Sequence, residues 1–105
     1  MEYLIIAYDS EDKNALQRRL AIREQHLEMA KKLLSEGKML YGAAILDEND
    51  KMIGSVCIYN FNSRRELDEW LKTEPYIIAK VWKKITIKSC KVAELFKKGN
   101  ENVSI

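Results

Sequence analysis

The chain opens with a nearly continuous apolar run, Tyr3 to Tyr8, closed by Asp9-Ser10-Glu11-Asp12. So short a run with polar residues at its end predicts a strand buried on both faces. From about Asn14 to Glu36 there is neither Gly nor Pro, helix formers dominate, and Gly37 supplies a residue suited to a helix C-terminus. That stretch predicts one long helix. Leu40 to Leu46 and Met52 to Phe61 are two apolar stretches separated by Asp47-Glu48-Asn49-Asp50-Lys51, which predicts a β-hairpin. Ser63-Arg64-Arg65-Glu66 has the spacing of a capping box, in which serine and glutamate side chains each satisfy a free amide, and a second helix follows through Leu67, Trp70 and Leu71. Pro75 disfavours a helical Glu74, so this helix is expected to end near Thr73, before a short segment from Tyr76 to about Ala79. Val81 to Val92 contains the alternation Ile85-Thr86-Ile87-Lys88 and predicts a last strand.

The predicted order is β-α-β-β-α-β, an α+β arrangement in which two helices cover one face of a four-stranded antiparallel sheet. We expect one domain over residues 1–96 and a loose tail over 97–105, where Gly99, Asn100 and Asn102 fall. Helices on one face leave the other to solvent, ligand or a second subunit. Tyr59, Phe61, Ser55, Thr86 and Lys88 are the residues expected there, and their mixed character favours a homodimer packed through that face.

At about 100° per residue, Leu16, Leu20, Leu27 and Leu34 share a narrow band of the first helix, flanked by Ala15, Ile22, Ala30 and Leu33. Arg19, Arg23 and His26 fall inside this apolar arc. A guanidinium facing a core is costly unless it pairs with a carboxylate or reaches water along its stem. The other reading is that the arc lines a cleft. There, His26 one turn from Arg23 would combine proton transfer with anion binding.

Composition narrows the options. With 105 residues, 18 Lys plus Arg and 16 Asp plus Glu, the net charge of +2 names no polyanionic partner. The excess is local, since Lys80, Lys83, Lys84, Lys88, Lys91, Lys97 and Lys98 face only Glu94 in their stretch, which suits a strand edge protected from aggregation. Cys57 and Cys90 stand far apart with no CxxC and no second histidine, so they read as reduced hydrophobes, and no metal cluster or phosphate loop is available. The N-terminal run is stopped by Asp9 well short of a signal peptide or membrane span, which leads us to expect a cytoplasmic protein.

Arg23-Glu24-Gln25-His26-Leu27, Leu33-Leu34, Glu36-Gly37-Lys38-Met39-Leu40, Gly42 and Glu74-Pro75-Tyr76 together resemble the YciI-like family of small proteins, over about residues 1–96. The resemblance implies a ferredoxin-like fold of the dimeric α/β-barrel type and a His-acid dyad that works without a cofactor. It makes His26 the general acid/base and Glu74 its carboxylate partner, and puts Arg23 and Tyr76 near the same cleft. Some relatives act on chlorinated muconolactones. This chain departs from the pattern at Glu74, where Asp is usual, and at Gly42-Ala43-Ala44, where many relatives place Pro after the glycine.

A carboxylate hydrogen-bonded to one imidazole nitrogen fixes the tautomer of the other, and an arginine can hold a substrate carboxylate by two parallel bonds. On that basis the expected function is proton transfer in a lyase, isomerase or dehalogenase-like reaction on a small anionic substrate. Arg19 of the long helix is added as a substrate-binding residue, and Tyr8, at the end of the first strand, as either a rim residue or a cross-strand packing group. Trp70 and Trp82 are expected to pack in the core. Two other readings stand beside this one. The first is a non-catalytic binding or structural dimer. The second is RNA binding through Tyr59 and Phe61 on a sheet of the same strand order. That second reading is disfavoured because the glycines ahead of those aromatics are missing and the first helix is too long.

Overall fold

In the computed structural model of the chain, which describes residues 1–97, the elements are β1 (Glu2–Asp9), α1 (Ala15–Ser35), β2 (Met39–Leu46), β3 (Met52–Asn60), α2 (Arg64–Leu71), α3 (Pro75–Ile78) and β4 (Trp82–Cys90). The strands form one antiparallel sheet in the order β2-β3-β1-β4, a ferredoxin-like arrangement. Of the tail expected over 97–105, Lys97 is described and ion-pairs with Glu2, and residues 98–105 lie outside the described residues.

Local chemistry explains the boundaries. Gly37 takes a positive φ of 73° after α1, and Lys38 N–H returns to the carbonyl of Leu33 at 2.9 Å, so the helix closes on itself and the chain turns into β2. Asp47 holds the hairpin, its Oδ1 accepting from the backbone of Asn49 at 2.8 Å and of Lys51 at 3.0 Å. Ser63 caps α2 by accepting from Glu66 N at 3.1 Å; among the described residues the reciprocal bond from the Glu66 side chain is not formed. Gly54 is fixed by proximity, because a Cβ there would sit 2.5 Å from the Ala7 carbonyl.

The period of two sorts each strand. Tyr3, Ile5, Ala7 and Asp9 of β1 face the helices together with Ser55, Cys57 and Tyr59 of β3. Tyr59, Phe61 and Ser55, expected on the open face, are therefore on the covered one, and Tyr59 and Phe61 pack at a tilt against the partly buried Trp70. No aromatic platform is left for RNA at those positions. The open face instead carries Leu4, Ile6, Val56 and Ile58, with Tyr41, Ala43 and Thr86 beside them. The lysines Lys83, Lys84 and Lys88 are exposed on β4, an edge strand.

α1 is rotated from the expected orientation. Arg19, His26 and Leu33 are its buried residues, with Ile22, Met29 and Ala30 packed beside them, whereas Leu20, Leu27 and Leu34 are 52%, 45% and 62% exposed. Arg23, placed by periodicity at the middle of the apolar arc, is exposed. Two polar side chains thus take core positions that leucines would normally claim, because each finds a buried carboxylate.

Candidate functional site

Burying Arg19 requires a counter-charge, and Asp9 at the end of β1 provides it. The guanidinium Nη1 lies 3.0 and 3.1 Å from the two Asp9 oxygens, and Nη2 donates to Ser55 Oγ at 2.8 Å. Burial pushes the Asp9 carboxyl above its ordinary value, and Arg19 pulls it back by charge and hydrogen bonding. Trp82 Nε1 donates to the same Ser55 oxygen at 3.1 Å. The Arg19 guanidinium carbon sits 4.7 Å from the centre of the Tyr76 ring, a cation-π contact that ties α1 to α3.

The second buried pair lies two turns along α1. His26 Nδ1 is 2.8 Å from Glu74 Oε1, with the histidine 8% and the glutamate 1% exposed. Glu74 is not helical; at ψ 123° it caps α3, and the same Oε1 accepts from the backbone N–H of Tyr76 at 2.9 Å. Pro75 at the first helical position makes this geometry inexpensive, since its missing N–H would have had no partner. The short helix then brings the Tyr76 ring against the imidazole, 3.9 Å between centres and 12° from parallel, with Trp82 edge-on at 6.0 Å. A neutral imidazole donating from Nδ1 keeps Nε2 as an acceptor, and Nε2 has no hydrogen-bond partner among the described residues. The longer glutamate side chain, the first departure from the family pattern, reaches the histidine.

These groups form one end of a cavity of about 430 Å³ between α1, β2 and α3. Arg19, Arg23, His26, Lys31, Ser55 and Tyr76 supply its polar lining; Leu27, Ala30, Leu34 and Met39 supply apolar lining, with Gly42, Ala43 and Ala44 of β2 opposite. Arg23 stands here exposed, with no hydrogen-bond or ion-pair partner among the described residues. Burial raises the Tyr76 phenol above its ordinary value, while Arg19 and Arg23 draw it down. Cys57 also lines the wall, its thiol pushed up to about 11 by burial, which makes it a neutral packing group and a poor nucleophile.

Of the six residues singled out in the sequence, five meet at this cavity: His26, Glu74 through His26, Arg23, Tyr76 and Arg19. Tyr8 does not. It follows Ala7 and precedes Asp9, both on the covered face, so its side chain turns to the opposite face and lines a separate concavity near Lys83 and Lys84. Asp9 and Ser55 were not anticipated as part of the site, and Trp82, expected to pack in the core, reaches it through Ser55. Asp9 and Ser55 hold buried polar positions on covered faces, a signal that becomes visible only once the facing of β3 is known.

The model of the YCII-related domain matches residues 1–91. The chain belongs to this family. An uncharacterized protein of Haemophilus influenzae is 36% identical over 97 residues, covering 87% of this chain and 97% of that protein, and protein YciI of Escherichia coli is 32% identical over the same spans. Among solved structures, 5-chloro-2-hydroxyhydroquinone dehydrochlorinase of Burkholderia phenoliruptrix, in complex with 2,5-dihydroxybenzoquinone, superposes with a TM-score of 0.75 at 22% identity, covering 90% of this chain and 97% of that one. A dimeric ferredoxin-like protein of unknown function from Jannaschia gives a TM-score of 0.54 at 12% identity, covering 87% and 98%. Among the described residues, no helix is long and apolar enough to cross a membrane.

Proposed function

We propose that this YCII-related protein catalyses proton transfer on a small, anionic, enolisable substrate, in a lyase, isomerase or dehalogenase-like reaction that needs no cofactor. The observation that carries the reading is the 2.8 Å contact between His26 Nδ1 and the buried Glu74 carboxylate, which leaves Nε2 available beside the cavity. Glu74 orients the imidazole and stabilises the imidazolium that forms when Nε2 takes a proton. Arg23 binds the substrate anion at the cavity rim, and Tyr76 supplies the stacking surface under the histidine and a phenol facing the same space. Arg19 holds the polar end in shape through Asp9 and Ser55. The quinone bound by the Burkholderia enzyme is a planar oxyanion of suitable size, and this supports the choice of hydroxyquinones as first substrates.

The open face presents Leu4, Ile6, Val56 and Ile58 bordered by Lys84 and Lys88 of β4, and we assign this apolar centre with a charged rim to a homodimer interface; dimers are described among the structural neighbours. Two free thiols fit a reducing compartment, the cytoplasm.

The test is solvent exchange. Hydroxyquinones and small keto acids are incubated in D2O with wild-type protein and with His26→Ala, and carbon-bound deuterium is measured by mass spectrometry. Wild-type exchange lost in His26→Ala is the expected result. Exchange equal in both proteins would refute the dyad, and tight binding with no exchange in either would identify a passive binder.

A further inference from the structure

The Ser55 hydroxyl has two acceptor lone pairs and one proton. Both lone pairs are taken, by Arg19 Nη2 at 2.8 Å and by Trp82 Nε1 at 3.1 Å. Neither partner can reverse its role, because a guanidinium and an indole N–H are donors only. The hydroxyl proton is therefore directed away from both, and among the described residues no acceptor receives it. Ser55 is 3% exposed, yet it forms part of the cavity wall, so the missing acceptor belongs to whatever fills that cavity. A second group on the same wall is in the same condition: Arg19 is 3% exposed and its Nε–H has no partner. Buried donors are rarely left unmade, since each costs about 1–3 kcal/mol.

From this we infer that Ser55 is a donor-only hydroxyl that hydrogen-bonds an oxygen of the ligand, selecting substrates that present a carbonyl, enolate or carboxylate oxygen at the floor of the cavity. The inference rests on the functional reading above and adds its oxygen-binding residue. Its chemistry is complementary to that of His26. The histidine takes a proton from the substrate, and the negative charge that develops on the substrate oxygen is met by a hydroxyl polarised by the Arg19 cation. Because Ser55 has no lone pair to spare, a ligand offering an N–H at that point finds no partner and is rejected.

The probe is 2,5-dihydroxybenzoquinone. It is titrated into wild-type protein, Ser55→Ala and Arg23→Ala by calorimetry, and into the ¹⁵N-labelled wild type by NMR. The indole N–H of Trp82 reports on Ser55 directly, and Trp70, packed against Tyr59 and Phe61, serves as the internal reference. We expect the Trp82 indole resonance to shift on saturation while that of Trp70 stays, and Ser55→Ala to bind at least about tenfold more weakly, as for loss of a charge-assisted bond. The wild-type NMR measurement stands even if Ser55→Ala folds poorly. A Trp82 resonance that stays fixed while those of His26 move, or an affinity of Ser55→Ala within twofold of wild type when Arg23→Ala is weakened, overturns the assignment of Ser55 alone. No binding to the wild type overturns both this assignment and the reading of the cavity.

Discussion

Glu74→Ala tests how much of this architecture depends on one carboxylate. The side chain is 1% exposed, and Oε1 accepts from His26 Nδ1 at 2.8 Å and from Tyr76 N at 2.9 Å. Truncation to alanine leaves both donors in a space too enclosed for free hydration. At about 1–3 kcal/mol for each buried donor without a partner, the loss is about 2–6 kcal/mol. For a domain of this size, about 4–8 °C is lost per kcal/mol, so the melting temperature should fall by at least about 8 °C. Glu74→Gln keeps an oxygen that can accept one or both bonds and removes only the charge, and its loss should be about 1–2 kcal/mol. The assay is thermal and urea unfolding followed by circular dichroism, with the denaturant slope checked so that changes in the unfolded chain are recognised. A Glu74→Ala variant melting within about 2 °C of wild type, or a Glu74→Gln variant as damaged as Glu74→Ala, would refute the reasoning.

Arg23→Ala should weaken binding of 2,5-dihydroxybenzoquinone at least about tenfold while changing stability by less than about 0.5 kcal/mol, since the side chain is exposed and unpaired; calorimetry and melting measured together check both halves. Cys57, with its thiol raised to about 11, should resist a disulfide reagent at pH 8 in the folded protein and react once urea is added, with labelling rising only as the pH approaches that value. Ile6→Lys places a charge at the centre of the open sheet face and should convert a dimer into a monomer in light scattering; an unchanged mass would remove that face as the interface. Ser63→Ala removes the cap of α2 and should cost about 1 kcal/mol in denaturant unfolding.

The strand and helix order was legible because the signals that set it are local. Gly37 ends α1, Asp47 builds the hairpin turn, Ser63 starts α2 and Pro75 breaks the chain before α3. The facing of the elements was harder to read. In β3 and the residue after it, positions 55, 57, 59 and 61 and positions 54, 56 and 58 are both largely apolar sets, so alternation alone does not choose which set meets the helices. In α1 the leucines pointed one way and the burial of Arg19 and His26 went another, because side chains from distant parts of the chain, Asp9 and Glu74, stabilise the polar positions more than a leucine stripe could. The proximity of His26 to Glu74 was suggested by family resemblance. Their separation by 48 positions in the chain leaves no local pattern that could have announced it.

The wall of the cavity facing the histidine is almost bare backbone, Gly42-Ala43-Ala44 on a strand at the edge of the sheet. A Cβ at Gly42 would come within 2.8 Å of the Met39 terminal methyl, so that flexible chain end would have to shift to admit it. Side chains added at Gly42 and Ala44, the positions paired with Cys57 and Ser55 on the covered face, would therefore enter the cavity from the side away from the ion pairs. The molecule thus divides its positions by the cost of changing them: replacing a member of either buried pair, Arg19 with Asp9 or His26 with Glu74, breaks the core, whereas a substitution on the inward side of β2 alters only the form of the cavity.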